Sequence, residues 1–191
     1  MDVIETRLPG VLVLQPQVHG DARGFFVETF RADLFASAIP GVDFVQDNHS
    51  RSTRGVLRGM HLQWRRPQGK LVRCSRGRIF DVAVDVRPDS PTFGQWVGAM
   101  LDDDNLRQMY IPPGFAHGFQ VMSDMADVSY KCTDYYDPGG EAGLRWDDPE
   151  VSIEWPIDAP ELSVKDQQLP RLDALREALR KLDVDPGNPV C

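Results

Sequence analysis

The sequence predicts an all-β fold, an antiparallel sandwich or barrel with short peripheral helices and a helix near the C-terminus. The main indication is residues 79–86, where apolar side chains recur at every second position and Asp81 and Asp85 fall on the opposite face. Turn-forming sequences follow at short intervals, at residues 87–91, 111–114 and 137–140. Short strands with frequent turns are typical of antiparallel sandwiches and barrels.

Two stretches are predicted to be helical. The first covers residues 31–38, and Asp33 is expected to cap it. The second follows Pro170, where leucines recur at helical spacing, namely Leu172, Leu175, Leu179 and Leu182. Because this second stretch is amphipathic, we expect it to pack against the barrel rather than to bind a partner.

The length of 191 residues favours one domain, which we assign to residues 1–183. Residues 184–191 contain two prolines and a glycine and are predicted to form a flexible tail. No stretch approaches the roughly 20 apolar residues that span a bilayer. The acidic N-terminus also lacks the basic residues of a signal peptide. We therefore expect a cytoplasmic protein that has no membrane partner.

Charge and cysteine content bear on the expected partners. The formal net charge is −8 at pH 7, whereas a nucleic-acid binder normally carries a basic stripe, so nucleic acid is not expected as a partner. An anionic small substrate would need a local cluster of arginines. Cys74, Cys132 and Cys191 are far apart and form neither a CxxC motif nor a disulfide framework.

Polar residues are dense in three segments of otherwise β-like sequence, at residues 21–28, 46–70 and 112–119. Within the second segment, strand alternation predicts that Arg58 faces one side and that His61 and Gln63 face the other. Met60 and Leu62 are expected to share the side of Arg58. Basic, imidazole and amide groups on neighbouring strand positions are suited to the mouth of a barrel.

The third segment carries half of a cupin signature, Pro-x-Gly-x-x-His, at residues 112–117. Metal-binding cupins also carry a His-x-His pair followed by a glutamate. Here His61 is followed by Gln63, and residues 64–70 contain no glutamate. An amide is a poor ligand for a first-row metal. The prediction is therefore a cupin jelly-roll barrel without metal or other cofactor, and a metal-dependent cupin enzyme is the disfavoured alternative.

From residue 1 to about residue 170 the chain resembles the dTDP-4-dehydrorhamnose 3,5-epimerases. The matching motifs are Asp21-x-Arg23-Gly24-Phe25-Phe26-x-Glu28, Phe44-Val45-Gln46-Asp47-Asn48-His49-Ser50, Gly55-Val56-Leu57-Arg58-Gly59-x-His61-x-Gln63, Gln68-Gly69-Lys70-Leu71-Val72-Arg73-Cys74, Ser90-Pro91-Thr92-Phe93-Gly94, Gly114-Phe115-Ala116-His117-Gly118-Phe119, Tyr130-Lys131-x-Thr133-x-Tyr135-Tyr136 and Lys165-Asp166. The resemblance implies an isomerase that inverts C3 and C5 of dTDP-4-keto-6-deoxy-glucose. It also implies a homodimer with exchanged N-terminal strands.

The residues that match the family's catalytic positions suit this chemistry. The C–H bonds beside a ketone are weakly acidic, and inversion needs a base on one face and a proton donor on the other. His61 matches the family's base and Asp166 the carboxylate that steers it. Tyr130 matches the acid, and Lys70 matches a cation near the developing O4 enolate.

The resemblance further implies a set of substrate-binding residues, which are Arg23, Glu28, Gln46, Asp47, Asn48, Arg58, His117, Glu141 and Lys165. Arginine forks suit diphosphate oxygens. Glu28 cannot bind phosphate and is expected to contact the base or to orient Arg23. In a dimer with exchanged strands, Arg23 or Glu28 is expected to serve the neighbouring site.

Two other functions remain open, and departures from the common family pattern bear on the first of them. His19 stands where many relatives carry an aromatic residue, loop 64–67 is short and basic, and Met60 and Leu62 replace Leu and Tyr. His19 lies near the base-binding region and its imidazole stacks less extensively than a larger ring, which leaves the nucleotide preference open. The other differences border the catalytic strand, so an enzyme that inverts C3 only, as in deoxysugar antibiotic pathways, is an alternative. A cupin that binds a nucleotide sugar without catalysis is an alternative of another class.

Overall fold

The computed structural model describes residues 1–183, and most of this part of the chain is β-structure. The strands are β1 (Asp2–Glu5), β2 (Leu12–Gln15), β3 (Val18–Asp21), β4 (Gly24–Val27), β5 (Gln46–Thr53), β6 (Leu57–Gln63), β7 (Lys70–Arg76), β8 (Arg78–Asp85), β9 (Trp96–Asp102), β10 (Gln108–Ile111), β11 (Phe115–Val121), β12 (Met125–Cys132) and β13 (Glu141–Gly143). The helices are α1 (Ala32–Ala38), α2 (Val164–Gln167) and α3 (Leu172–Asp183). The predicted all-β class with peripheral helices is confirmed.

The strands form two large antiparallel sheets and one separate hairpin. One sheet has the order β1-β2-β10-β7-β12-β5, the other has the order β13-β6-β11-β8-β9, and β3 pairs only with β4. Apolar side chains from both large sheets meet in one buried cluster, which includes Val72, Met109 and Val128 from the first sheet and Ile79 and Phe119 from the second. The two sheets therefore enclose the interior of the barrel.

A second core lies on the outer face of the five-stranded sheet. Met60, Val82 and Val84 pack there against Leu175 and Leu179 of α3. The predicted C-terminal helix and its packing against the barrel are confirmed. We found no helix in residues 1–183 that is long and apolar enough to cross a membrane. The predicted flexible tail, residues 184–191, lies outside the described residues.

The two faces of strand β8 lie in different surroundings. Its predicted alternation is confirmed, and its apolar face lies under α3. The opposite face looks into the barrel, because Ile79 and Ala83, on the same face as the two aspartates, belong to the core between the sheets. Asp81 and Asp85 are both fully buried there. The polar face of β8 is therefore the inner one.

The Ser-Pro-Thr-Phe-Gly motif at residues 90–94 folds around the carboxylate of Asp85. The hydroxyls of Ser90 and Thr92 each donate to Asp85 Oδ2 at 2.6 Å, and Arg87 forms an ion pair with the same carboxylate. The next residue of the motif, Phe93, lies under the guanidinium of Arg176 in α3. This motif folds the turn after β8 and seats α3, and it lies outside the cavity described below.

The predicted capping of α1 by Asp33 is wrong. The helix begins at Ala32, and Arg31 occupies the N-cap position without a side-chain cap hydrogen bond. Asp33 lies inside the first turn, where its carboxylate accepts hydrogen bonds from the guanidinium of Arg31 and from the backbone of Leu34. A carboxylate in the first turn still has a favourable interaction with the helix dipole.

Candidate active site

A cavity of about 520 Å³ is lined by residues of both large sheets and by the segment at residues 161–166. Strands β5, β7 and β12 form one wall, and β6 and β11 form the other. Seven of the predicted site residues line it, which are His61, Asp166, Tyr130, Lys70, Arg58, His117 and Lys165. The fold thus brings together all four predicted catalytic residues, from three separate parts of the chain.

Arg58 and His61 face the same side of β6, which corrects the prediction from strict alternation. His61 pairs with His117 across the sheet, and Arg58 pairs with Phe119, so three residue steps on β6 oppose two on β11. This mismatch is a β-bulge, which re-aims side chains. Because His117 and Phe119 share a face, their cross-strand partners share it as well.

Gly59 lies inside this bulge, and its replacement by a larger residue is expected to lower stability strongly. Its φ is +129°, and a Cβ built there would lie 2.6 Å from Gly118 Cα. We expect Gly59→Ala to lower the free energy of unfolding by about 3 kcal/mol, from a strained backbone and overpacking of about 1–3 kcal/mol each. Gly55→Ala is the matched control, because its φ is +84° but nothing lies within 4 Å. Equal losses for the two variants in urea unfolding would contradict this prediction.

His61 and Asp166 form a close pair at the mouth of the cavity. His61 Nε2 lies 2.7 Å from Asp166 Oδ1, and Asp166 is 4 % exposed. Burial by itself would raise the pKa of Asp166, but the hydrogen bond and charge of His61, with a further hydrogen bond from Ser163, lower that pKa below its usual range. Asp166 therefore stays ionised and can hold one tautomer of the imidazole.

The segment that carries Asp166 is fastened by residues that the sequence prediction missed. The backbone N–H of Asp166 donates to Ser163 Oγ at 3.1 Å, so Ser163 caps α2. The spacing Ser163-x-x-Asp166 is a known helix-start signal and could have revealed this residue. Upstream, the buried amide of Gln120 makes two hydrogen bonds to the backbone of Ile157.

Tyr130 and Lys70 lie on the wall opposite His61. In the register of β7 and β12, Lys70 pairs with Cys132, two residues from Tyr130, so Lys70 and Tyr130 face the same side. Burial raises the pKa of the Tyr130 phenol, which keeps it protonated at neutral pH. Burial lowers the pKa of Lys70, whose Nζ donates to His61 O at 3.3 Å. An imidazole and a protonated phenol therefore line opposite walls of one cavity.

Comparison with known proteins shows the family to which the chain belongs. Residues 5–174 match the family model for dTDP-4-dehydrorhamnose 3,5-epimerase. The chain belongs to the dTDP-4-dehydrorhamnose 3,5-epimerase family. An enzyme of that name from Salmonella typhimurium is 53 % identical over 176 residues, 91 % of this chain and 96 % of the relative. The predicted carbohydrate epimerase, an isomerase, is confirmed at the level of the family.

Three further relatives of this epimerase family bear on fold and specificity. A crystal structure of the Legionella pneumophila enzyme RmlC with dTDP-4-keto-L-rhamnose has a TM-score of 0.90 and 48 % identity, covering 93 % of this chain and 96 % of that one. A relative from Neisseria gonorrhoeae is 57 % identical over 87 % of this chain, which spans about half of its length, 51 %. A dTDP-4-dehydrorhamnose 3-epimerase from Streptomyces niveus is 42 % identical over 90 % of this chain and 84 % of its own.

A second histidine–aspartate pair lies deeper in the epimerase cavity. His117 Nε2 is 2.8 Å from Asp81 Oδ1, and both side chains are buried. Burial lowers the pKa of His117, so this imidazole is held neutral at neutral pH. Sequence reasoning assigned His117 to substrate binding but did not single out Asp81. The signal was present in the polar face of β8, which the fold turns inward.

Glu141 and Lys165 meet at the edge of the cavity. Lys165 Nζ lies 2.6 Å from Glu141 Oε2, and the hydroxyl of Tyr136 donates to the same oxygen at 2.9 Å. Lys165 lines the cavity directly. Tyr136 in the turn before β13, Glu141 at the start of β13 and Lys165 in α2 are therefore in contact at this edge. Two of the predicted substrate-binding residues, Glu141 and Lys165, form one ion pair.

The three predicted binding residues on β5 separate by strand alternation. Gln46 and Asn48 face inward, where Gln46 Nε2 donates to Asn48 Oδ1 and Asn48 pairs in register with Tyr130. Asp47 faces outward and forms an ion pair with Lys131 at 2.7 Å. The structure therefore places the side chain of Asp47 on the outer face of the sheet, away from the cavity, because neighbouring residues of a strand point to opposite faces.

Arg23 and Glu28 are not brought to the cavity by a single chain. Arg23 lies on the hairpin of β3 and β4, is almost fully exposed and pairs with Asp21. Glu28 follows the hairpin and contacts Arg31 at 3.5 Å. The same hairpin exposes two aromatic side chains, Phe25 and Phe26.

Proposed function

We propose that this family member inverts C3 and C5 of dTDP-4-keto-6-deoxy-glucose, which yields dTDP-4-keto-L-rhamnose. The observation that carries the proposal is the cavity in which the His61–Asp166 pair and the Tyr130 phenol line opposite walls. Inversion at a carbon needs removal of a proton on one face and its delivery on the other. A nucleotide-sugar-binding cupin without catalysis would not require these groups together.

In the first half of each inversion, His61 removes the proton from the carbon beside the ketone. The C–H electron pair moves into the carbon–carbon bond, and the ketone becomes an enolate at O4. Asp166 stabilises the resulting imidazolium. Lys70 on the facing wall offers an ammonium group to the O4 charge, which grows between the ketone and the transition state. A charge that acts on the transition state more than on the ketone raises the rate.

In the second half, Tyr130 donates its proton to the opposite face of the same carbon, and the ketone re-forms. His61 is then left as an imidazolium and Tyr130 as a phenolate. His61 must release its proton and Tyr130 must regain one before the second carbon reacts, and both exchanges can involve solvent. The raised pKa of Tyr130 favours rapid reprotonation of the phenolate. One set of groups thus serves C3 and C5 in turn.

Two cations at the cavity are suited to the nucleotide diphosphate. Arg58 is fixed by hydrogen bonds from its Nε to Ser52 Oγ at 2.9 Å and from its Nη2 to Arg51 O at 3.5 Å, and its remaining N–H groups can donate to phosphate oxygens. Lys165 is held in an ion pair with Glu141, and a diphosphate would compete with that carboxylate for the ammonium group. The strongly acidic chain thus presents a local positive site, as an anionic substrate requires.

The site is proposed to be completed by a second copy of the chain in a homodimer with exchanged N-terminal strands. The hairpin that carries Arg23 exposes Phe25 and Phe26, and an isolated two-stranded hairpin is only marginally stable in water. We expect a mixture of the Arg23→Ala and His61→Ala variants, refolded together, to regain about a quarter of wild-type activity, because half of the random dimers contain one intact site. An absence of rescue would place Arg23 in its own subunit's site.

The reaction is tested by incubating the protein with dTDP-4-keto-6-deoxy-glucose in D₂O and locating deuterium by NMR. Label at both C3 and C5, with inverted product, supports the proposal, whereas label at C3 alone identifies the C3-only enzyme. Of the departures that raised the C3-only alternative, Met60 and Leu62 lie in the outer core beneath α3 and do not line the cavity. Binding of the sugar without any exchange would identify the non-catalytic cupin.

Independence from metal ions is a further prediction. Gln63, at the second position of the metal-binding pair, uses its amide for hydrogen bonds to the backbone of a nearby turn. The two cavity histidines are each already bonded to an aspartate. We expect wild-type turnover after dialysis against EDTA, with elemental analysis as the check on metal content. Loss of turnover that a divalent metal restores would contradict the prediction and favour the metal-dependent alternative.

A further inference from the structure

Gln63 has a structural partner that the mechanism above does not use. Its side chain is buried, with 5 % exposure, and it points towards the turn at residues 134–137. Nε2 donates to Arg66 O at 3.0 Å and to Tyr135 O at 3.2 Å, while Oε1 accepts from the backbone N–H of Asp137 at 2.7 Å. Both amide hydrogens of Gln63 are therefore used. The amide binds the backbone on both sides of Tyr136, at Tyr135 and at Asp137.

A second glutamine, Gln46, binds the backbone of Tyr136 itself. Gln46 Oε1 accepts from the backbone N–H of Tyr136 at 2.9 Å. Gln63 belongs to β6 in the five-stranded sheet and Gln46 to β5 in the six-stranded sheet. The backbone on either side of Tyr136 is thus tied to both walls of the barrel. The amide of Gln46 is only partly buried, whereas that of Gln63 is buried, so breaking the bonds of Gln63 leaves polar groups unpaired and these bonds hold the turn in one conformation.

The side chain of Tyr136 links this fixed turn to the edge of the cavity. Its hydroxyl donates to Glu141 Oε2, the oxygen that also contacts Lys165 Nζ, and Lys165 lines the cavity. We propose that Gln63 is a positioning residue, which acts through Tyr136 to set this edge of the cavity against the bound sugar nucleotide. The proposal rests on the proposed epimerase function. A residue in the place of a metal ligand thereby shapes the substrate site.

A loss of stability alone would not distinguish this role from ordinary packing, so the test is a double-mutant cycle on kcat/KM. We expect Gln63→Leu to lower kcat/KM by about 10- to 100-fold, as small displacements of positioning groups do. In a Tyr136→Ala background, the same substitution should lower it by less than about 3-fold, because the group it positions is gone. An undiminished effect in that background, or wild-type kcat/KM in folded Gln63→Leu, would overturn the inference.

Asn105 offers a matched control far from the cavity. Its amide also makes three backbone hydrogen bonds across a turn, from Nδ2 to Met100 O and to Oδ1 from the N–H groups of Asp102 and Arg107. We expect Asn105→Leu to lose unfolding free energy but to keep wild-type kcat/KM. A parallel fall in kcat/KM would show that general loosening, and not the position of Tyr136, explains the effect of Gln63→Leu.

Amide hydrogen exchange tests the contact without requiring turnover. The N–H groups of Tyr136 and Asp137 should exchange at least about 10-fold faster in Gln63→Leu and at the wild-type rate in Asn105→Leu. Unchanged exchange in Gln63→Leu would overturn the inference. A wild-type protein that does not epimerise would instead refute the proposed function, while this exchange still reports on the turn. If Gln63→Leu does not fold, Gln63→Glu, which loses the two donated hydrogen bonds but keeps the acceptor for Asp137, replaces it in the double-mutant cycle, where the same outcomes are expected.

Discussion

Replacing His61 with Ala is expected to abolish both inversion and solvent exchange at C3 and C5 in a protein that stays folded. The base opens the C–H bond, so without it no enolate forms, and a positioned base contributes about 10²–10⁴-fold to the rate. The side chain of His61 is about a third exposed, 32 %, so its removal leaves no large closed cavity. The measurements are kcat/KM and deuterium uptake by NMR, with circular dichroism as the check on folding.

Asp166→Asn is the matched companion to this variant. The amide has nearly the same shape, and the hydrogen bond that the backbone N–H of Asp166 donates to Ser163 Oγ at the helix start is kept. We expect a smaller loss than for His61→Ala, because the imidazole remains in place but loses the carboxylate that fixes its tautomer. Wild-type-like turnover of folded His61→Ala would remove this pair from the mechanism.

Tyr130→Phe is expected to separate solvent exchange from inversion. The ring keeps its packing, and only the hydroxyl is lost. His61 can still open the C–H bond, but the enolate is then reprotonated mainly from the original side by the imidazolium, which returns starting material. Deuterium should therefore still enter the substrate, while net epimerisation falls by about 10²–10⁴-fold, the contribution of a positioned acid.

The two rates must be measured on the same sample, by NMR for deuterium uptake and by product analysis for inversion. If both fall together in Tyr130→Phe, the hydroxyl is needed to form the enolate, which would assign it a hydrogen bond to O4. If inversion continues at the wild-type rate, Tyr130 is not the acid. Tyr136 is then the next residue to test, because its hydroxyl lies at the edge of the same cavity.

Local patterns in the sequence determined the main strands and the C-terminal helix. The alternation at residues 79–86 predicted β8, and the leucine spacing predicted α3 and its contact with the barrel. These patterns succeed because the period of a strand or helix is a property of its own residues. The resemblance to the epimerase family, carried by motifs in the same order, implied His61, Lys70, Tyr130 and Asp166 as catalytic residues, and the fold brings all four to one cavity.

The tertiary structure decided which face of each strand is the inner one. The apolar face of β8 is covered by α3, so its polar face, with Asp81, turns into the barrel and supports His117. Arg58 joins His61 because of a bulge against β11, and a bulge depends on the partner strand. The position of a side chain relative to the site thus depends on contacts between segments distant in sequence, which the period of one strand does not contain.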